Sequence, residues 1–230
     1  NWQINNDWRL TAGVDVTHFS NGNTHYPNAG VNTVGGRVSL IRTFGTHSYR
    51  TSVETRRKAR AEIERYFSYD VVLYGATRRK GIIWPDDRVL VPGAFGVAGI
   101  NINPMYNLNA CFRAGISLDA QYDESANIKD HVVGDDRSAE NIRFYRPPFR
   151  EQFGVGLSLR AELVMPIFSI NLGVGHNVFY QGEDLKGFYQ IAALKTSITR
   201  RLFLHVGYQL RNFKDPNNLM LGLGYRFNGR

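Results

Sequence analysis

Apolar residues recur along this chain at every second position, segment after segment. From Trp8 to Phe19, Leu10, Ala12, Val14 and Val16 hold the even places, and Arg9, Thr11, Asp15 and Thr17 the odd ones. A period of two marks a strand with one apolar and one polar face. The run Val31 to Phe44 answers it with Val34, Val38 and Leu40 on its even positions, so the two segments predict a hairpin. Further on, Phe67, Tyr69, Val71 and Leu73 alternate with Ser68, Asp70 and Tyr74. Ala110 to Ala120 sets Phe112, Ile116 and Leu118 against Arg113, Ser117, Asp119 and Gln121. The same alternation returns from Phe153 to Leu163, from Phe168 to Val174, from Leu202 to Arg211 and from Leu219 to Phe227, with another strand at Phe188 to Ile198. Ala94 to Asn103 alternates poorly, which predicts a strand with a bulge, and Asn103 to Asn107 reads as the tight turn after it.

Alternation alone serves a soluble sandwich as well as a membrane barrel. The connections choose between them. Turns near Pro104, Pro166 and Thr199 to Arg201 are short; the segments Gly22 to Gly30, Arg78 to Arg88, Asp123 to Gln152 and Gln181 to Gly187 are longer and fall on the other side. Short periplasmic turns opposite longer outer loops are the habit of transmembrane barrels. The polar faces also carry both signs of charge, Arg113, Arg160, Lys195 and Arg226 against Asp70, Asp119 and Glu162, which suits an ion-paired lumen. The expected fold is therefore all-β: an antiparallel up-and-down transmembrane β-barrel of about ten strands, one domain over residues 1–230. Residues 45–65 are expected to form a polar periplasmic linker, and residues 123–152 a long extracellular loop. An open ten-stranded sheet would leave two edges unpaired in lipid, so the ten are expected to close or to be completed by upstream strands.

Composition agrees. No window holds the ~20 consecutive apolar residues of a membrane-spanning helix, and 23 Gly, 12 Tyr and 14 Phe suit strands, turns and aromatic girdles. The single cysteine, Cys111, excludes an internal disulfide and a Cys-based zinc site, and is expected as a small filler within a strand. A net charge of +8 invites a nucleic-acid partner. The basic residues are scattered, however, and the one cluster, Arg56 to Arg60, comes with no nucleic-acid motif. An anionic lipid surface accounts for the charge equally well. Neither a cofactor nor a metal site is indicated.

The unusual feature is chemical. His18 and Ser20 continue the even, apolar series of the first strand, two residues apart, and Asn32 stands on the matching face of the return strand. A base and a hydroxyl nucleophile thus sit where apolar residues are expected. The pattern His18-Phe19-Ser20-Asn21, followed by Pro27-Asn28-Ala29-Gly30 and a polar Asn32, resembles the active-site hairpin of PagL-type lipid A 3-O-deacylases and acyloxyacyl hydrolases. That resemblance implies an outer-membrane barrel that removes an ester-linked acyl chain from lipopolysaccharide. It implies Ser20 as nucleophile, His18 as base, and Asn21 and Gly22 as the oxyanion site. The family's Glu that orients the His falls where this chain has Asn32. An amide can accept a bond from the imidazole N–H but does not offset the imidazolium charge. In that family the motif hairpin follows several other strands, so upstream strands are expected here too.

The partners so implied are lipopolysaccharide, outer-membrane lipids and other outer-membrane proteins, with the active-site hairpin facing the outer leaflet. Three functions compete: an outer-membrane esterase, a catalytically reduced barrel serving as a structural or partner subunit, and a channel. The pairable charges of the inner faces favour a filled lumen over an open one. His25 and His176 are expected as interfacial residues.

Overall fold

The computed structural model describes residues 2–5, 7–19, 31–42, 44, 65–83, 88–133, 143–213 and 215–228. They fall into two compact units, one holding both strands of the first hairpin and the other holding Glu64–Arg230. In the first unit, β1 (Trp2–Gln3) pairs with the start of β2 (Trp8–Phe19), and β2 pairs antiparallel with β3 (Val31–Arg42). The β2–β3 register runs unbroken from Trp8↔Arg42 to Phe19↔Val31. Residues directly opposite share a face, so Val14, Val16, Val34, Val38 and Leu40 form one exposed apolar surface.

The second unit is a ring. Its walls are β4 (Phe67–Arg78), β7 (Phe95–Asn109), β8 (Phe112–Asp123), β11 (Phe153–Val164), β12 (Phe168–Phe179), β13 (Phe188–Ser197), β14 (Leu202–Arg211) and β15 (Asp215–Phe227). Each wall strand pairs antiparallel with its neighbours, and β15 returns to β4 through Leu221↔Gly75 to Phe227↔Tyr69, closing an eight-stranded barrel. The expectation of about ten strands is corrected to eight: the sheet that holds β2 and β3 is separate. The long connections carry short elements: β5 (Gly81–Ile83) with β6 (Arg88–Leu90), β9 (Val132–Val133) with β10 (Arg143–Phe144), a 3-10 turn at Ile128–His131 and α1 (Phe149–Gln152). The expected linker at 45–65 lies outside the described residues except for Arg65.

Three local expectations are revised. Asn103 to Asn107 is no turn, because β7 continues through Pro104 to Asn109. Pro104 has no N–H to donate, and the ladder to β8 passes from Ile102↔Leu118 to Met105↔Gly115 without pairing Asn103 or Pro104. The reversal instead falls at Ala110 and Cys111, which puts Cys111 in an exposed turn and not inside a strand. The last strand begins at Asp215, three residues before the loop was expected to end at Asn218, with a bulge at Gln209/Leu210 in its partner.

The barrel is inverted relative to a soluble protein. Leu159, Leu157, Leu221 and Leu223 are exposed on the outside, Leu159 at 70%, whereas Asp70 and Glu162 are 0% exposed within. Lys195 Nζ spans the lumen from β13, 3.0 Å from Asp70 Oδ2 on β4 and 2.6 Å from Glu162 Oε2 on β11. Arg226 closes on Asp70 at 2.7 and 2.9 Å, and Arg113 on Glu162 at 2.6 Å. Nearer the long loops, Asp119 accepts from Arg160 (2.8 Å), Ser158 (2.7 Å) and, across the lumen, Tyr189 (2.7 Å). Inward glycines make room for these crossings. A Cβ at Gly156 would lie 2.6 Å from the Tyr189 ring, nearer than side-chain atoms come. The lumen is filled, not open.

Outside, rings gather at both ends of the wall. Phe67–Tyr106 and Tyr225–Phe227 stand at the short-turn end, with centroids 4.9 and 4.8 Å apart. Tyr122–Phe149–Phe153 and His176–Phe188 stand at the long-loop end. A twelve-residue strand such as β11, rising ~3.3 Å per residue at a ~45° tilt, covers about 28 Å, close to the hydrocarbon thickness of a bilayer.

Candidate active site on the first hairpin

The β2–β3 ladder sets His18 opposite Asn32 at its loop end. Alternation places Asn32 on the face of Val34, at the loop end of an otherwise apolar surface. Asn32 is exposed. The backbone juxtaposition expected of these two residues is present; Ser20, Asn21 and Gly22, like His25, lie outside the described residues. On the opposite face Arg37 Nη1 is 3.7 Å from Asp15 Oδ1. Both groups are largely exposed, so the pair adds little.

The barrel unit carries a second set of polar groups that the sequence did not advertise. Above the long-loop end, Asp184 accepts from Lys80 Nζ (2.8 Å) and from the Asn127 backbone N–H (3.0 Å), while its own N–H donates to Asn127 Oδ1 (3.0 Å). Burial works against the charged form of Asp184, but Lys80, Asn127 and Arg211 outweigh it and hold its pKa below the ordinary carboxylate value. Asn127 takes a left-handed backbone (φ 57°), which Asn tolerates, and its side chain also donates to the carbonyls of Glu151 (2.7 Å) and Gln181 (2.9 Å). One residue thus ties three loop segments together. Beside it, Ile82, Val91, Phe95 and Ile128 form a small apolar core, with Val132 and Phe144 against it. His131 Nε2 lies 2.7 Å from Glu151 Oε2. Twenty residues separate that pair, with no motif to flag it. Ser125 Oγ donates to Asp123 Oδ1 (2.7 Å). His176 sits exposed outside the wall, edge-on to Phe188 at 4.9 Å. No group of three or more His, Cys, Asp or Glu among the described residues is placed to hold a metal.

Comparison with known proteins decides the family. The profile described as acyloxyacyl hydrolase, C-terminal domain, matches residues 67–229, the whole ring of walls. The chain belongs to the acyloxyacyl hydrolase family. A second profile, lipid A 3-O-deacylase (PagL), matches residues 1–40, which include His18, Ser20 and Asn32. The two profiles between them match residues in both units, and the function of the family is of the lipid A deacylase type. No curated protein matches the chain. Among solved structures, the crystal structure of Ail, the attachment invasion locus protein of Yersinia pestis, in complex with the heparin analogue sucrose octasulfate, is 15% identical. It covers 70% of this chain and 98% of its own, with a TM-score of 0.37. The backbone structure of Yersinia pestis outer membrane protein Ail in a phospholipid bilayer nanodisc is 19% identical, covering 70% and 99%, at the same TM-score of 0.37. No helix of the described residues is long and apolar enough to cross a membrane; the strands do so. An apolar exterior between two aromatic girdles and an ion-paired interior are those of an outer-membrane barrel, and this member of the family is an outer-membrane protein.

Proposed function

We propose that the first hairpin hydrolyses an ester-linked acyl chain of lipid A. His18 removes the proton from Ser20 Oγ, which attacks the ester carbonyl; Asn21 and the backbone at Gly22 hold the oxyanion. His18 then returns the proton to the departing sugar alkoxide, and water, activated by the same imidazole, releases the fatty acid from Ser20. Asn32 accepts the other imidazole N–H and fixes the tautomer. The hairpin's loop end faces the outer leaflet, where the lipid A ester lies within reach of a side chain on a membrane-facing wall. Polar groups there carry a smaller penalty than at the midplane.

The observation that carries this reading is the register pair His18↔Asn32 at the loop end of the hairpin, inside the segment that the lipid A 3-O-deacylase profile matches. The test is mass spectrometry of lipid A from cells producing the protein or its Ser20→Ala variant. Loss of one acyl chain's mass with the first and not with the second is expected; identical spectra refute it. A second reading, a catalytically reduced barrel serving another outer-membrane protein, is favoured by the amide at position 32. In that case deacylation appears only in Asn32→Glu.

A further inference from the structure

The barrel unit carries an exposed aromatic ridge at its long-loop end. Phe149, on the single turn α1, lies between Tyr122 and Phe153, which point outward from β8 and β11. The centroids are 5.6 and 5.4 Å apart and the planes within 17° and 16° of parallel. The stack is held in place: Tyr122 Oη donates to Gln152 Oε1 (2.9 Å), and Gln152 Nε2 donates to the Glu124 carbonyl (2.8 Å). Yet Phe149 is 63% exposed. Rings fixed at the rim of a membrane wall belong at headgroup level.

Next to the ridge the same segment is basic. Arg143, Arg146 and Arg150 are exposed, and Glu124 pairs with the Arg146 guanidinium while also accepting from the Gly96 N–H (2.8 Å). At the same end of the barrel a cleft of about 270 Å³ is lined by Phe95 and Phe144 together with Glu124 and Arg146. Ring edges, an apolar cleft and guanidinium groups together match a phosphorylated headgroup above acyl chains. Arginine is suited to it because its planar fork pairs with phosphate oxygens two at a time.

We infer that the Tyr122–Phe149–Phe153 ridge with Arg146 and Arg150 is a docking surface for the phosphorylated headgroup of lipid A, on the barrel unit and separate from the hydrolytic hairpin. This rests on the lipid A reading for its choice of lipid and not for its chemistry, since docking needs no turnover. The full chain and its Ser20→Ala variant, in detergent micelles, are titrated by native mass spectrometry with bisphosphorylated lipid A, its dephosphorylated form and phosphatidylglycerol. Bisphosphorylated lipid A is expected to bind about tenfold more tightly than either, as charge-assisted pairs imply, and equally in the Ser20→Ala variant. Arg146→Ala with Arg150→Ala removes most of that preference, Phe149→Ala weakens both lipid A forms, and Arg200→Ala at the opposite end changes nothing. A faster-migrating unheated band on gels confirms that each variant is folded. Equal binding of the dephosphorylated lipid or of phosphatidylglycerol overturns the inference, as does an unaffected arginine variant or an equal loss in Arg200→Ala. Binding as expected without any deacylation in cells would end the hydrolase reading and leave the docking surface standing.

Discussion

The lumen cluster makes a prediction that runs against intuition about which partner matters. Around Lys195 stand two carboxylates, Asp70 and Glu162, and two further cations, Arg113 and Arg226, all bridged within 4.0 Å. The cluster therefore counts three positive charges against two negative. Replacing Lys195 with Met leaves two against two, every carboxylate still held by an arginine at 2.6 or 2.7 Å. Replacing Glu162 with Gln leaves three cations around one carboxylate, with no exposure to water at that site. Breaking a buried pair so that a charge is stranded costs roughly 3–5 kcal/mol, whereas losing a cation in excess costs nearer the ~1–2 kcal/mol of its hydrogen bonds. Glu162→Gln is thus expected to destabilise the barrel by at least ~1 kcal/mol more than Lys195→Met. The double variant should be less damaged than the sum, because removing the lysine relieves the excess that Glu162→Gln creates. Urea unfolding in lipid vesicles, followed by circular dichroism and by gel mobility without heating, measures all three. Equal losses for the two single variants would refute the charge count, and losses under ~1 kcal/mol for both would mean that water screens the lumen.

Other outcomes follow from the same geometry. Gly156→Ala would put a methyl group against the Tyr189 ring and is expected to lower stability by ~1–3 kcal/mol in the same assay, with Tyr189→Phe in the same chain giving little relief because the ring carbons, not the hydroxyl alone, obstruct. Asp184 has a depressed pKa, so its contribution is complete above the unfolded carboxylate value of about 3.9 and is lost as pH falls below it. The protection of the Asn127 amide against hydrogen exchange, taken relative to its intrinsic rate at each pH, should therefore fall on acidification below that value in the wild type, and be already low and unchanged with pH in Asp184→Asn. Because the ring closes without β2 and β3, residues 65–230 expressed alone are expected to assemble into a heat-modifiable barrel. A chain that stays unfolded in detergent would contradict that closure. In planar bilayers the same barrel should show no porin-like conductance, and stable open-channel steps would contradict a lumen crossed by Lys195 and Tyr189.

Strand faces were legible because membrane walls keep a strict period of two. Asp70, Asp119, Arg160, Glu162 and Lys195 all point inward as their positions in the alternation required. The number of walls was not legible, since closure depends on which edge β15 finds, and Gly75 to Tyr69 carry no mark that singles them out as its partner. Pro104 misled for a physical reason. A proline in a polar stretch reads as a turn, but here its missing N–H falls where the ladder to β8 is interrupted. Arg78 read as a loop residue and is instead buried against Asp123 at 3.0 Å. Contacts such as Asn127 with Asp184 join segments 57 residues apart, and nothing local announces them. The candidate site was legible as a motif, and the His18↔Asn32 register supports the hairpin that carries it.

The most direct test of the hydrolase reading is chemical labelling of the nucleophile. Membranes containing the protein are treated with a fluorophosphonate, and the modified peptide is mapped by mass spectrometry. A phosphonyl group on Ser20, lost in His18→Ala and blocked by excess lipid A, is the predicted result; an unmodified Ser20 under conditions that label a control serine esterase would contradict it.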